Sequence, residues 1–103
     1  MSKIAWAGVL LVAFALSASA QKEPKDLYLD KCSACHGPDG AGQTAKGKKL
    51  KMKGAKETTA KMSAADMIKI VQNGKGADMD AYGKEFNADQ IKGLVEYYRS
   101  LAK

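Results

Sequence analysis

Five consecutive residues, Cys32-Ser33-Ala34-Cys35-His36, carry the most specific chemistry in this chain. They read C-x-x-C-H, the attachment pattern of a c-type haem. Each cysteine can add its sulfur to one vinyl group of the porphyrin, giving two thioether bonds. The histidine that follows is then placed under the iron, where an imidazole nitrogen can bind it. One turn of backbone suffices to present both sulfurs to one edge of the ring. A redox-active CxxC pair is the main alternative, but it normally accompanies alternating strands and helices, and no strand pattern is evident. A structural zinc site is poorly served: two Cys and the single His make three ligands, one short of a closed site.

Any haem attached there needs elements to position it, and the chain is short. Of 103 residues, the first twenty read as a secretory signal: Lys3 at the start, an uncharged apolar run over residues 4–16, then Ala18-Ser19-Ala20 as a signal-peptidase site. The apolar run is too short to span a bilayer comfortably, so cleavage before Gln21 is expected and a retained membrane anchor is not. Residues 21–103 then form one domain. The whole chain has 17 Lys and Arg against 11 Asp and Glu, net +6, and loss of Lys3 brings the domain to +5. A domain of this size struggles to bury enough surface to stay folded, and a covalently held porphyrin would supply a large apolar body for it.

Three helices are predicted. Pro24 is a start signal, and residues 25–35 follow without a breaker, with Leu27 and Tyr28 one turn ahead of Cys32 and Leu29 off that face. Gly37-Pro38-Asp39-Gly40 ends this helix. Residues 37–62, rich in Gly, Lys and Thr, are expected to be a long loop braced by the ring, with Leu50 touching it. Ser63-Ala64-Ala65-Asp66 opens a second helix whose Met67, Ile70 and Val71 share a face, closed by Asn73-Gly74. A glycine-punctuated loop over residues 74–83 contains Met79. Asn87, with Gln90 three positions on, caps the last helix, where Ile91, Leu94, Val95, Tyr98 and Leu101 form one stripe. Gly93 inside that helix suits a close approach of the first helix.

The whole of residues 21–103 resembles the small class I cytochromes c of bacteria, the monohaem c5/c6/c553-like proteins. The resemblance is carried by Leu27-Tyr28 before the Cys32–His36 motif, Asp39-Gly40-Ala41-Gly42 after it, Leu50, Met67-Ile68, the run from Gly74 to Met79, and Ile91 through Leu101. It implies an all-α cytochrome c fold: three main short helices and long loops wrapped around one covalent haem c, with crossed terminal helices and a loop methionine facing the histidine. Asp80 stands where family members often carry proline, and no group that would orient His36 is identified. Tyr98 fits the inward stripe by period, whereas the family pattern points to Tyr97.

The sixth iron ligand is then expected from the methionines at 52, 62, 67 and 79, since bis-histidine ligation is excluded by the single histidine. Met67 sits on a helical core face, Met62 immediately precedes that helix, and Met52 lies between Lys51 and Lys53, close to solvent. Met79, in a glycine-rich loop, is favoured, with Met52 and Met62 as the alternatives. His/Met ligation raises the potential and leaves no open iron position, which suits one-electron transfer and no enzymatic turnover. The expected function is a monomeric periplasmic electron carrier; a haem sensor or enzyme with a labile sixth site, and the cytochrome subunit of a larger oxidoreductase, are the alternatives. Lys46, Lys48, Lys49, Lys51, Lys53 and Lys56 would steer acidic donor and acceptor proteins, or merely keep the surface solvated. Nucleic acid is not an expected partner.

Overall fold

The computed structural model describes residues 22–102. The expected signal over residues 1–20 lies outside them. Among the described residues six helices follow one another: α1 (Pro24–Lys31), α2 (Ser33–His36), α3 (Ala45–Lys49), α4 (Ala55–Lys61), α5 (Ala64–Asn73) and α6 (Ala88–Ser100). Among the described residues the only strand-like pairing is an isolated bridge between Lys75 and Met79. The architecture is all-α, with α1, α5 and α6 as its main helices. Among the described residues no helix is long and apolar enough to cross a membrane.

The last helix is the hub. Its start is fixed by a complete capping box: the Asn87 side chain accepts from the Gln90 N–H at 2.8 Å, and the Gln90 side chain accepts from the Asn87 N–H at 2.8 Å. Two otherwise orphaned donors are thereby satisfied. The predicted stripe is the buried face, with Ile91, Leu94 and Val95 inside and Tyr98 and Leu101 half-buried. This face packs against α1, α4 and α5. Leu27, Tyr28, Phe86, Ile91 and Leu94 form the central cluster. At the crossing with α1, a Cβ on Gly93 would stand 2.9 Å from Pro24 Cγ. Glycine at 93 is therefore the condition for the two helices to approach this closely, as the sequence suggests.

Two expectations need correction. The first helix does not run through residue 35. It breaks at Cys32, whose φ of −116° and ψ of −28° leave helical values, and a separate turn, α2, carries the chain to His36. Across the break, the Ser33 hydroxyl donates to the Leu29 carbonyl at 2.6 Å. Leu29 itself is exposed, as its place off the packed face predicts. Residues 37–62 are likewise not a continuous loop, because α3 and α4 lie within them. Neither has a strong apolar stripe; tertiary packing makes them helical. Gly47 of α3 is buried against backbone, where an added Cβ would meet the Gly42 carbonyl and stand 2.6 Å from the Cys35 carbonyl. Ala55 of α4 is buried, and its N–H donates to the Gly40 carbonyl at 2.7 Å.

Replacing Gly93 with valine tests the crossing. The added methyls meet the Pro24 ring, so the variant should lose about 1–3 kcal/mol in denaturant unfolding despite valine's better helix propensity. An unchanged midpoint would mean that the helices are not seated on one another at this glycine.

Candidate haem site

The turn that bears the motif is held from three sides. From α1, the buried Tyr28 hydroxyl donates to the Gly37 carbonyl at 2.7 Å. Burial and the nearby Cys32, Tyr98, Tyr97 and Asp39 push the Tyr28 phenol far above its usual range, so it stays a neutral donor. From the following loop, the Gly42 N–H donates to the His36 carbonyl at 2.8 Å. From α3, the Thr44 hydroxyl donates to the Cys35 carbonyl at 2.9 Å while its oxygen accepts from the Gly47 N–H at 2.9 Å. Thr44 thus caps α3 and ties it to the motif in one side chain. Sequence reasoning passed over Thr44 and Gly47. The available signal was a capping residue followed three positions later by a glycine.

Cys32 and His36 open into an apolar cavity of about 420 Å³. Its walls include Tyr28 and Tyr98, Leu50, Ile70, Val71 and Val95. Leu50 therefore touches the cavity as expected. All four methionines of the described chain, Met52, Met62, Met67 and Met79, also line it. Met52, placed between two lysines and so either near solvent or folded inward, is half-buried and in the wall. Cys35 is half-buried but does not line the cavity, and no disulfide joins it to Cys32. The Tyr97/Tyr98 question resolves by division. Both rings lie near Tyr28, at centroid distances of 5.2 and 6.3 Å, but Tyr98 faces the cavity and meets the His36 ring edge-on at 5.2 Å.

His36 is held neutral, since burial pushes its pKa below the usual histidine range. Its Nδ1 is buried without a hydrogen-bond partner. The ring is located by Tyr98 and by its own backbone. A neutral imidazole keeps one nitrogen lone pair, the form that binds a metal. Burial and the adjacent Cys35 push the Cys32 thiol up to about 11. Among the described residues no cluster of His, Cys, Asp and Glu could hold a metal ion unaided.

Met79 is delivered by a closed loop. The Lys75 N–H donates to the Met79 carbonyl at 2.9 Å, and beyond the loop the N–H groups of Tyr82 and Gly83 donate to the carbonyls of Val71 and Gln72 at 2.8 and 3.0 Å. Gly74 turns the chain into it with φ at 78°, and a Cβ there would stand 2.8 Å from the Met79 carbonyl. Met67, by contrast, is buried in α5, with an Arg99 nitrogen 4.0 Å from its sulfur.

A helical shell, a C-x-x-C-H turn and an apolar cavity with imidazole and thioether groups in its walls define a haem protein of the c type. The family described as "Cytochrome C oxidase, cbb3-type, subunit III" matches residues 19–97, most of the chain, and the chain belongs to that family. The solved structure of "KustC0563 c-type cytochrome" is similar at 28% identity and a TM-score of 0.73, covering 80% of this chain and 100% of that one. A comparison with curated proteins finds no match. The cofactor is haem c, covalently bound, with its iron, and the function is haem-based electron carriage. The cavity suits such a cofactor in volume, within the roughly 300–1,000 Å³ usual for bound cofactors, and in its apolar walls.

Tyr28→Phe isolates the clamp on the motif. The variant keeps the ring but removes one of two hydrogen bonds to the buried Gly37 carbonyl, which still accepts from the Gly40 N–H at 3.0 Å, so stability should fall by about 0.5–1.5 kcal/mol in thermal or denaturant unfolding. A variant as stable as the parent would show that the Tyr28 hydroxyl does not hold the turn.

Proposed function

We propose that this chain is an exported one-electron carrier whose haem is tethered by Cys32 and Cys35 and whose iron is ligated by His36 and Met79. The observation that carries the reading is that His36 and Met79 reach one apolar cavity from two segments, each pinned by its own backbone hydrogen bonds. When bound, the haem supplies a ferric/ferrous couple. His36 contributes a neutral imidazole, and Met79 a soft thioether that favours the reduced state. The flanking apolar side chains exclude water from the ring, and the pinned segments limit rearrangement between oxidation states. With both axial positions filled, substrate has no place on the iron, so turnover is not part of the reading. Export to the periplasm rests on the signal-like residues 1–20, and the domain acts as a monomer.

Met79→Ala tests the ligand. The oxidised variant should lose the spectral signature of sulfur coordination, its potential should fall, and it should bind added carbon monoxide when reduced, whereas the reduced parent ignores it. An unchanged spectrum would pass the role to Met52 or Met62, both in the same cavity wall.

A second reading draws on the family description, which names a subunit of a cbb3-type cytochrome c oxidase. On that reading the domain hands electrons to a larger assembly that holds it permanently. Gel filtration of material from the native host separates the two: a carrier elutes near its own mass, a subunit with the assembly. For a diffusible carrier, lysines of α3 and α4 would steer acidic donor and acceptor proteins. Electron-transfer rates with the physiological partner should then fall steeply with ionic strength. A flat salt profile would refute the steering role.

A further inference from the structure

The cavity is apolar in its depth, but its ionisable lining is lopsided. Lys51, Lys53, Lys61 and Lys75 line it against Glu57 and Asp78. Cations exceed anions by two, the charge that the two propionates of a haem c would bring. The other polar groups in the wall add no charge: Cys32 would be a thioether with haem attached, His36 is a neutral imidazole, and Tyr28 and Tyr98 are phenols.

The partners within that lining narrow the choice. Lys61 donates to Glu57 at 3.1 Å, so these two charges offset each other. Lys75 lies in one tight turn with Asp78, whose N–H donates to the Lys75 carbonyl at 3.2 Å, so an acidic residue stands three positions from that lysine although no ion pair joins their side chains. Lys51 and Lys53 remain. Both are exposed, yet both line the cavity, so they stand at its rim. Among the described residues neither makes an ion pair.

The backbone at Lys51 is an independent sign. Helix α3 ends in a Schellman motif: the Met52 N–H donates to the Gly47 carbonyl at 2.9 Å and the Lys51 N–H to the Lys48 carbonyl at 3.1 Å. The residue between must adopt the left-handed conformation, and Lys51 does so with φ at 56°, alone among the non-glycine residues described. Glycine is the residue that fits this position without strain. A lysine there gives up backbone comfort, and what it gains is a cation at the cavity mouth.

We propose that Lys51 and Lys53 are the haem-propionate clamp of this protein, holding the two carboxylates at the rim between α3 and α4. The inference rests on the carrier reading, since it needs the haem in this cavity. It also divides the lysine cluster: Lys51 and Lys53 are turned to the cofactor, which leaves Lys46, Lys48, Lys49 and Lys56 for partners.

The test is the pH dependence of the haem reduction potential, measured on holoprotein over roughly pH 4 to 9. Protonating a propionate removes negative charge near the iron and raises the potential, so the profile has an inflection at the propionate pKa. Lysine contacts keep that inflection low in the parent. In Lys51→Gln/Lys53→Gln it should move up by about 1 pH unit or more, the usual effect of losing an opposite charge. Lys51→Gly, which suits the backbone, should fold at least as well as the parent and still move the inflection upward. Lys46→Gln, outside the cavity, should leave it in place. An inflection in both the double variant and Lys51→Gly that coincides with the parent's overturns the clamp while leaving the carrier reading intact. A parent that carries no covalent haem after expression with haem-attachment machinery overturns both.

Discussion

The buried hydrogen bond from the Tyr28 hydroxyl to the Gly37 carbonyl joins the packing core to the chemistry. Tyr28 is almost fully buried, in the cluster where α1 meets α6, and lines the cavity as well. Its ring belongs to the core and its oxygen to the turn that carries His36. The bond is short and shielded from water, and without it the carbonyl would keep only the bond from the Gly40 N–H, which lies within the turn itself. The placement of the motif is thus inherited from the packing of the terminal helices.

The remaining structure closes the cavity around that fixed turn. Helix α3 is seated on the Cys35 carbonyl through Thr44 and Gly47, and α4 follows through the bond from Ala55 to Gly40. On the other side, α5 supplies Ile70 and Val71 and anchors the loop that presents Met79. The apolar side chains around the opening have more surface than they can bury against each other, which is how a small domain relies on its cofactor for a core.

Much of this was legible in the residues. C-x-x-C-H is a covalent attachment pattern that does not depend on packing, so the cofactor could be named from it. The Asn87/Gln90 box is local hydrogen bonding, and it forms as written. Gly93 was readable because a glycine inside a strong apolar stripe costs helix stability and needs a compensating contact. The misses have different causes. Helices α3 and α4 are too short to announce themselves by periodicity, and they form because Gly47 and Ala55 dock on backbone. The break at Cys32 carries no breaker residue. The inward turn of Met52 follows from the Schellman motif, whose lysine at the glycine position conceals it from a sequence reading.

The crossing of α1 and α6 at Pro24 and Gly93 has a consequence for the order in which the molecule can form. Its two sides stand near opposite ends of the described chain, and Tyr28 is buried partly by residues of α6. Until Ile91, Leu94 and the two tyrosines arrive, α1 has little to pack against, and an isolated eight-residue helix is not stable in water. A nascent chain lacking its last helix is therefore a chain without a core. The domain assembles as one cooperative unit, after its C-terminal segment is free to return to the beginning.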